Sequence, residues 1–343
     1  MRKLLNTLYI TSPDSYLSLD GENIVVQKEE KEAVRIPLHN LEGIVAFGYT
    51  GASPALMGAC AKRNVPILFM TQNGRFLARV IGETRGNIIL RKTQYRVSDS
   101  EFSAMDIAKC MILGKICNSK AVVDRALRDH SLRIDCDALK RVSASLAGSV
   151  AQAKDCMTLD ELRGVEGEAA RQYFGIFNHL ILQQKDTFSF STRVKRPPTD
   201  NVNALMSFLY TLLANDCAAA LETVGVDPYA GFMHRDRPGR MSLALDLMEE
   251  LRAAVADRMV LTLINRREIN GKGFVKKENG AVIMDDETKK LVLNAWQTKK
   301  KEELVHPFLN EKISWGLVPY AQAMLLARHL RDDMDAYPPF FWK

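Results

Sequence analysis

Three short segments carry side chains that could contribute to a metal-dependent site. Glu166 lies between two glycines in LRGVEGEAARQYF, and His234 lies in DPYAGFMHRDRPGR. Acids follow in SLALDLMEELR, where Asp246 precedes Glu249 by three residues and Glu250 by four, so a helix would place all three on one face. Acids on one helical face are more often its solvated side, and a single histidine is more often a hydrogen-bonded structural residue. Both readings remain open at this level.

The elements that must position these side chains are a loop and two helices. Pro238 and Gly239 exclude regular helix after His234, so this histidine is presented from a turn. Ser242 is predicted to be the N-cap of one helix running through LALDLMEELRAAVADRMVLTLI.

The two glycines beside Glu166 also need a reason, because glycine within a helix costs about 0.5 to 1 kcal/mol relative to alanine. We expect Gly164 and Gly167, together with Ala170, to let a neighbouring helix approach closely. The alternative is a close-packed helix with Glu166 at its exposed start, where an acid favours the helix dipole.

The fold class predicted by periodicity is α+β. SYLSLDGENIVVQ and MTQNGRFLARVIG each place Asp-Gly or Asn-Gly between β-prone runs, which predicts hairpins, and one helix is predicted to begin after Ser53 with Pro54 in its first turn. After Tyr95 the period becomes helical. We therefore predict an N-terminal β-rich domain with a short helix (1–84), a linker (85–97) and a larger all-α domain (98–343).

Composition limits the class of protein. The chain has 343 residues, of which 47% are apolar, so two domains with cores are expected. MRKLLNTLYI is interrupted too early for a signal peptide, and no stretch of about 18 uncharged apolar residues is evident. We expect a cytoplasmic protein without membrane spans. The six cysteines form no CxxC pair and are expected to be reduced packing residues.

Positive charge is concentrated in parts of the chain. The formal net charge is +6, yet residues 51–97 contain one acid, Glu83, and eight bases: Lys62, Arg63, Arg75, Arg79, Arg85, Arg91, Lys92 and Arg96. Further basic clusters occur in RVKR, HRDRPGR and QTKKKEE. Such clustering favours a nucleic acid as partner, and a solvated basic surface is the alternative.

The three segments together resemble the CRISPR-associated protein one family, the integrase of the spacer-acquisition module. RGVEGEAARQYF, RVKRPPTDNVNALMSFLY and DPYAGFMHRDRPGRMSLALDLMEELR occur in the family's order, and the resemblance runs from about Arg85 to Pro319. Glu166 and His234 are 68 residues apart, and His234 and Glu249 are 15 apart. The overall pattern is closest to members that accompany type I systems.

The resemblance implies a site and a reaction. It places the metal ligands at Glu166, His234 and Glu249, with Asp246 beside them orienting His234 or a metal-bound water, although some relatives have Asp where Glu249 stands. It implies Mg²⁺ or Mn²⁺, and attack by the 3′-hydroxyl of incoming DNA on a phosphodiester. It also implies double-stranded and branched DNA as substrates, a homodimer formed through the β-domain, and the small companion subunit of the adaptation complex.

The bases nearest these motifs are the expected contacts with the DNA backbone: Arg193, Lys195, Arg196, Arg235, Arg237 and Arg240. Two other functions fit the same residues. One is a metal-dependent nuclease that acts on branched repair intermediates, and the other is a non-catalytic DNA-binding scaffold in which Glu166, His234 and Glu249 are structural.

Overall fold

A computed structural model describes residues 6–12, 14–28, 31–72, 76–83 and 88–342. These residues form two compact units. The first unit comprises the described residues up to 83 together with 284–303 and 314–317. The second comprises 88–283, 304–313 and 318–342.

The first unit contains two four-stranded sheets. Its strands are β1 (Thr7–Ile10), β2 (Ser15–Asp20), β3 (Asn23–Lys28), β4 (Lys31–Pro37), β5 (Gly43–Phe47), β6 (Gly51–Ala52), β7 (Ile67–Met70) and β8 (Phe76–Val80). One sheet has the order β1-β5-β7-β8, with β8 antiparallel to β7 and the other pairs parallel. The other sheet has the order β4-β3-β2-β6, in which β6 is parallel to β2.

Helices account for most of the remaining structure. They are α1 (Pro54–Lys62), α2 (Ile88–Asp99), α3 (Glu101–His130), α4 (Cys136–Asp155), α5 (Leu159–Gly175), α6 (Asn201–Val224), α7 (Ser242–Leu251), α8 (Arg258–Asn265), α9 (Asp286–Lys301) and α10 (Val318–His329). Four short strands pair as two ladders: β9 (Phe274–Lys276) with β10 (Val282–Met284), and β11 (Glu303–Val305) with β12 (Lys312–Ser314). The predicted α+β class, with a strand-rich N-terminal region before a larger helical region, is confirmed.

In the first unit, the predicted turn between β2 and β3 and the predicted N-cap of α1 are both present. The Asp-Gly turn joins β2 to β3, and Gly21 adopts φ +57°, a conformation that glycine reaches without strain. Ser53 caps α1 by accepting a hydrogen bond from the backbone N–H of Leu56 at 3.2 Å. The second predicted turn, at Asn73 and Gly74, lies outside the described residues, but β7 and β8 on either side of it pair antiparallel.

The first unit also takes in a segment that is distant in sequence. In α9, Val292, Leu293 and Trp296 are buried, and the Nε2 of Gln297 donates a hydrogen bond to the carbonyl of Thr7 at 3.3 Å. Assigning all of 98–343 to one helical domain therefore differs from the structure. Helical periodicity identifies the apolar face of α9, but it does not identify which core covers that face.

The segment predicted as a linker, 85–97, is helical where it is described. Residues 85–87 lie outside the described residues, and α2 begins at Ile88. Leu90 and Gln94 on α2 are buried, while most of its other residues are partly or fully exposed. Because only two residues of α2 are buried and several of the others are basic, the sequence pattern favoured a linker over a helix.

The helix after His234 runs without interruption from Ser242 to Asn265, as predicted, but it is not α-helical throughout. A π-helical segment, Arg252–Asp257, separates α7 from α8. Ser242 is the first residue of α7 and not its N-cap, and its hydroxyl donates a hydrogen bond to the carbonyl of Arg235 at 3.2 Å. The predicted cap was wrong because this hydroxyl fixes the preceding loop instead of the helix end.

The apolar helix α6 lies in the core of the second unit. Among the described helices it is the one with the length and composition to cross a membrane, although no such segment is expected from the sequence. Within the protein, 72% of its most apolar window is buried. A central helix of a core passes the same test. All six cysteines are free; Cys60, Cys156 and Cys217 are buried, and Cys110, Cys117 and Cys136 are partly exposed.

Candidate active site

The three predicted metal ligands line one cavity in the second unit. The cavity has a volume of about 420 Å³. It is lined by Ile112, Arg163, Glu166, Lys195, Met233, His234, Arg235, Arg237, Arg240, Glu249 and Arg252. Two carboxylates and one imidazole thus share a wall with six basic side chains, a lining that attracts anions.

Asp246 holds the histidine loop. Its carboxylate accepts hydrogen bonds from the backbone N–H groups of Phe232, Met233 and His234 at 2.7, 3.0 and 3.0 Å. It also lies 2.5 Å from Nδ1 of His234 and is completely buried. Because an ionised carboxylate only accepts, Nδ1 is the donor in this hydrogen bond, and Nε2 of His234 is not engaged by Asp246.

Close packing of Gly231 against α7 and hydrogen bonds from α2 also hold this loop in place. A Cβ on Gly231 would lie 2.7 Å from Cβ of Ser242 and 2.9 Å from the carboxylate of Asp246, so only glycine fits this close approach. On α2, the buried side chain of Gln94 donates to the carbonyls of Asp227 and Ala230 at 2.7 and 2.9 Å. His234 therefore lies on a loop whose backbone is fixed by buried hydrogen bonds.

Glu166 on α5 and Glu249 on α7 converge on one cation. The ammonium of Lys115 on α3 forms ion pairs with both carboxylates, and its distance to Glu249 is 2.8 Å. Arg252 pairs with Glu249 at 3.0 Å. Burial alone would raise the pKa of Glu249, but Arg252, Lys115 and His234 outweigh it and lower the pKa to about 2. Glu249 is consequently ionised at neutral pH.

The glycines beside Glu166 do not mediate close helix packing. A Cβ on Gly164 or Gly167 would meet no atom within 4 Å outside its own helix. Glu166 is also the eighth of 17 residues in α5, so it lies in the middle of the helix and not at its start. The interpretation of a tight helix contact was wrong, because spacing of small residues does not reveal whether a neighbour faces them.

Glu250 does not share the environment of the other two acids on α7. Its carboxylate accepts hydrogen bonds from the hydroxyl of Tyr337 at 2.6 Å, the N–H of Phe340 at 2.7 Å and the amide of Gln322 at 2.9 Å. Burial raises the pKa of Glu250 to about 8 despite these donors. Glu250 therefore anchors the C-terminal segment. Asp246, Glu249 and Glu250 were expected to share one face of the helix, but Glu250 lies in a different environment from the other two.

The six predicted DNA contacts divide into two groups. Lys195, Arg235, Arg237 and Arg240 line the cavity, and Arg193 and Arg196 are not among its lining residues. The guanidinium of Arg193 instead donates to Asn203 at 2.7 Å and lies over the ring of Tyr210 at 5.2 Å. Arg193 therefore has a packing function in this structure, although its charge alone suggested a phosphate contact.

The carboxylates and the imidazole around the cavity are suitable ligands for a divalent ion. In this structure, however, the two carboxylates bind the ammonium of Lys115. Within the ranges that the structure describes, no three His, Cys, Asp or Glu side chains are grouped closely enough to hold an ion. Glu166 and Glu249 nevertheless both reach one monovalent cation, so their oxygens already converge on a single point. His234 lines the same cavity, and the hydrogen bond to Asp246 uses Nδ1 and not Nε2.

Several residues of the site were not identified from sequence. Lys115 was hidden in the apolar run MILGKICN, and Arg252 directly follows the acidic motif. A lysine in an apolar helix is itself a signal, because lysine is almost never buried without a partner. Arg163, one turn before Glu166, donates to the carbonyl of Met233 at 3.0 Å and links α5 to the histidine loop.

The fold and this cavity define an α+β protein whose helical part surrounds two carboxylates, a fixed histidine and a basic lining. Residues 8–298 match the family described as CRISPR associated protein Cas1, and the chain belongs to that family.

Curated relatives match along the whole chain. A protein named CRISPR-associated endonuclease Cas1 2 from Rhodospirillum rubrum is 51% identical, with 100% of both chains covered. A protein named CRISPR-associated endonuclease Cas1 1 from Chlorobaculum tepidum is 47% identical, also with 100% of both covered. The predicted family is therefore confirmed.

Solved structures with this fold include a Cas1 protein from Thermotoga maritima. It has a TM-score of 0.80 at 23% identity, covering 95% of this chain and 97% of its own. A casposase bound to its integration product has a TM-score of 0.84 at 22% identity, covering 98% and 94%. At these identities the likeness shows the shared fold.

Proposed function

We propose that this protein is a metal-dependent DNA endonuclease and integrase that inserts new spacer DNA into a CRISPR array. The observation that carries the proposal is the convergence of Glu166 and Glu249 on one cation at the wall of a basic cavity that also contains His234. The names of the curated relatives, which are endonucleases, support the same chemistry.

In the proposed reaction, the 3′-hydroxyl of incoming DNA attacks a phosphodiester. A new P–O bond forms, and the bond from phosphorus to the leaving 3′-oxygen breaks, so the reverse step appears as strand cutting. A Mg²⁺ or Mn²⁺ ion held by Glu166, His234 and Glu249 would polarise the phosphate and stabilise charge on the leaving oxygen. Asp246 keeps Nε2 of His234 directed for this task by accepting from Nδ1.

The basic lining orients the DNA backbone in this proposal. Within the described part of the chain, the side chains of Lys195, Arg237 and Arg240 form no ion pair with a carboxylate, whereas Arg163 and Arg235 share Asp160. Unpaired bases at a cavity wall bind phosphates without first breaking an internal ion pair. We expect these three to contribute most to DNA affinity.

A strand-transfer assay tests the function. We expect the protein to join a 3′-hydroxyl strand to a branched substrate, to lose this activity in EDTA, and to lose it in His234→Ala and Glu166→Gln while DNA affinity stays within a few-fold. Glu168→Gln is the matched control, because Glu168 lies on the same helix and pairs with Arg171 on its exposed side.

Other outcomes of the strand-transfer assay would favour one of the two alternative functions. Cleavage of plain duplex without strand transfer would favour a repair nuclease. DNA binding that needs no metal, without any chemistry, would favour a scaffold.

We also propose a homodimer formed through the strand-rich region and assembly with the small companion subunit of the adaptation complex, within the cytoplasm of a prokaryote. A fold neighbour that is a Cas6-RT-Cas1–Cas2 complex supports the second partner. Light scattering at micromolar concentration tests the dimer, and a stable monomer would contradict it.

A further inference from the structure

Lys115 is a buried cation placed between the two carboxylates of the site. Its residue is 7% exposed, and it lies on α3 between apolar neighbours that include the buried Ile112 and Ile116. Because a buried ammonium is costly without partners, the ion pairs with Glu166 and Glu249 offset the cost of burying it.

This ion-pair cluster is open to the cavity on one side. The side chain of Glu166 is 26% exposed, whereas those of Lys115 and Glu249 are 9% and 5% exposed. A second cation, Arg252, pairs with Glu249 from the other side. Two carboxylates therefore face two cations, so the cluster has no net negative charge with which to attract a divalent ion.

We propose that Lys115 is an internal counter-ion that competes with a divalent cation for Glu166 and Glu249. The proposal rests on the proposed function, in which those carboxylates bind the ion. Entry of the ion requires the ammonium to leave at least one carboxylate, because one oxygen cannot closely contact both cations without strong repulsion between them. Lys115 thus lowers the affinity of the DNA-free protein for metal.

DNA offers the displaced ammonium a new partner. The aliphatic stem of lysine is long and flexible, and a phosphate in the adjoining basic cavity is an anion that Lys115 can bind. DNA and the divalent ion should consequently increase each other's affinity, and by thermodynamic linkage the increase is reciprocal. Without the lysine, this coupling should shrink.

Titration with Mn²⁺ alone, followed by electron paramagnetic resonance of the free ion, tests the counter-ion. We expect Lys115→Met to bind Mn²⁺ at least about tenfold more tightly than the wild type without DNA. The matched control is Lys120→Met, because Lys120 is on the same helix and pairs with Asp124 away from the cavity lining. This control should bind as the wild type does. Addition of duplex DNA should tighten binding more in the wild type than in Lys115→Met.

Glu166→Gln separates this proposal from the proposed function. If Glu166→Gln leaves Mn²⁺ binding unchanged, both in the wild type and combined with Lys115→Met, the proposed ion site itself is wrong. If it abolishes binding but Lys115→Met binds no more tightly than the wild type, only the counter-ion proposal is overturned.

Circular dichroism melts establish that each variant is folded, and Lys115→Gln serves as the second variant. Unfolding of both while Lys120→Met remains folded would show a purely structural ammonium and would overturn the proposal.

Discussion

Glu249 and Glu250 are consecutive buried residues on α7, yet they belong to two regions with opposite electrostatics. On the cavity side, Glu249 faces Lys115 and Arg252, and its pKa is lowered to about 2. On the tail side, Glu250 faces the neutral donors of Gln322, Tyr337 and Phe340, and burial raises its pKa to about 8.

The difference shows that the partners decide the function of a buried acid. A helix turns about 100° per residue, so adjacent side chains enter different environments. Cations outweigh the cost of burial for Glu249, whereas uncharged donors do not outweigh it for Glu250. The first region keeps a charge available for chemistry, and the second uses a carboxyl group to fasten the C-terminal segment.

The largest expected effect separates the two acids by activity. Glu249→Gln should reduce strand transfer by about 10³-fold or more, because it removes a proposed ion ligand. Glu250→Gln should stay within about tenfold of the wild type, since it retains hydrogen bonding to the tail. Single-turnover rates measure both, and equal losses would show that the two regions are not functionally distinct.

The next effect concerns Asp246, which is on the cavity side but does not line the cavity. Asp246→Asn should reduce strand transfer by about 10 to 100-fold, because the histidine loop loses its charged acceptor. Raising the Mn²⁺ concentration should restore part of the rate. Asp236→Asn, on the exposed part of the same loop, is the control. If Asp246→Asn is less active than Glu249→Gln, the assignment of ligand and positioning residue must be exchanged.

The pH dependence of the unfolding free energy tests the assignment of Glu250. The pKa of Glu250 is raised from 4.5 to about 8 on folding, so its stabilising contribution is complete below the unfolded pKa and is lost as pH rises through the folded one. Between about pH 6 and pH 9 the wild type should lose about 3 kcal/mol of unfolding free energy relative to Glu250→Gln. Urea denaturation at both pH values measures this, and parallel curves for the two proteins would contradict the assignment. Glu249 should behave oppositely, losing its contribution as pH falls.

The smallest effect distinguishes bases of the cavity from a base of the core. Arg240→Gln should weaken DNA binding a few-fold and reduce the log-log salt slope by about 1, because one phosphate contact is lost. Arg193→Gln should leave that slope unchanged and lower the melting temperature, because its hydrogen bonds to Asn203 and Ser207 are internal. Fluorescence anisotropy at several salt concentrations decides between them, and an unchanged slope for Arg240→Gln would remove it from the DNA surface.

Local chemistry made some features predictable. The Asp-Gly turn and the Ser53 cap depend on neighbouring residues, so the sequence predicts them directly. The spacing of Glu166, His234 and Glu249 carried the resemblance to the family, and the structure places all three at one cavity.

Features that depend on distant residues were not predictable in this way. The empty space beside Gly164 and Gly167, and the packing of α9 with the first unit, follow from where other elements lie. Helical periodicity gives a buried face but not its partner.

The sequence by itself determined the change from strands to helices, the Asp-Gly turn, the Ser53 cap, and which acids and histidine could serve one site, because these follow from local backbone preferences and from residue type. The tertiary structure decided which charges meet. It placed Lys115 between Glu166 and Glu249 and directed Glu250 toward the tail, because Coulomb interactions and burial depend on distances in space that separation along the chain does not set.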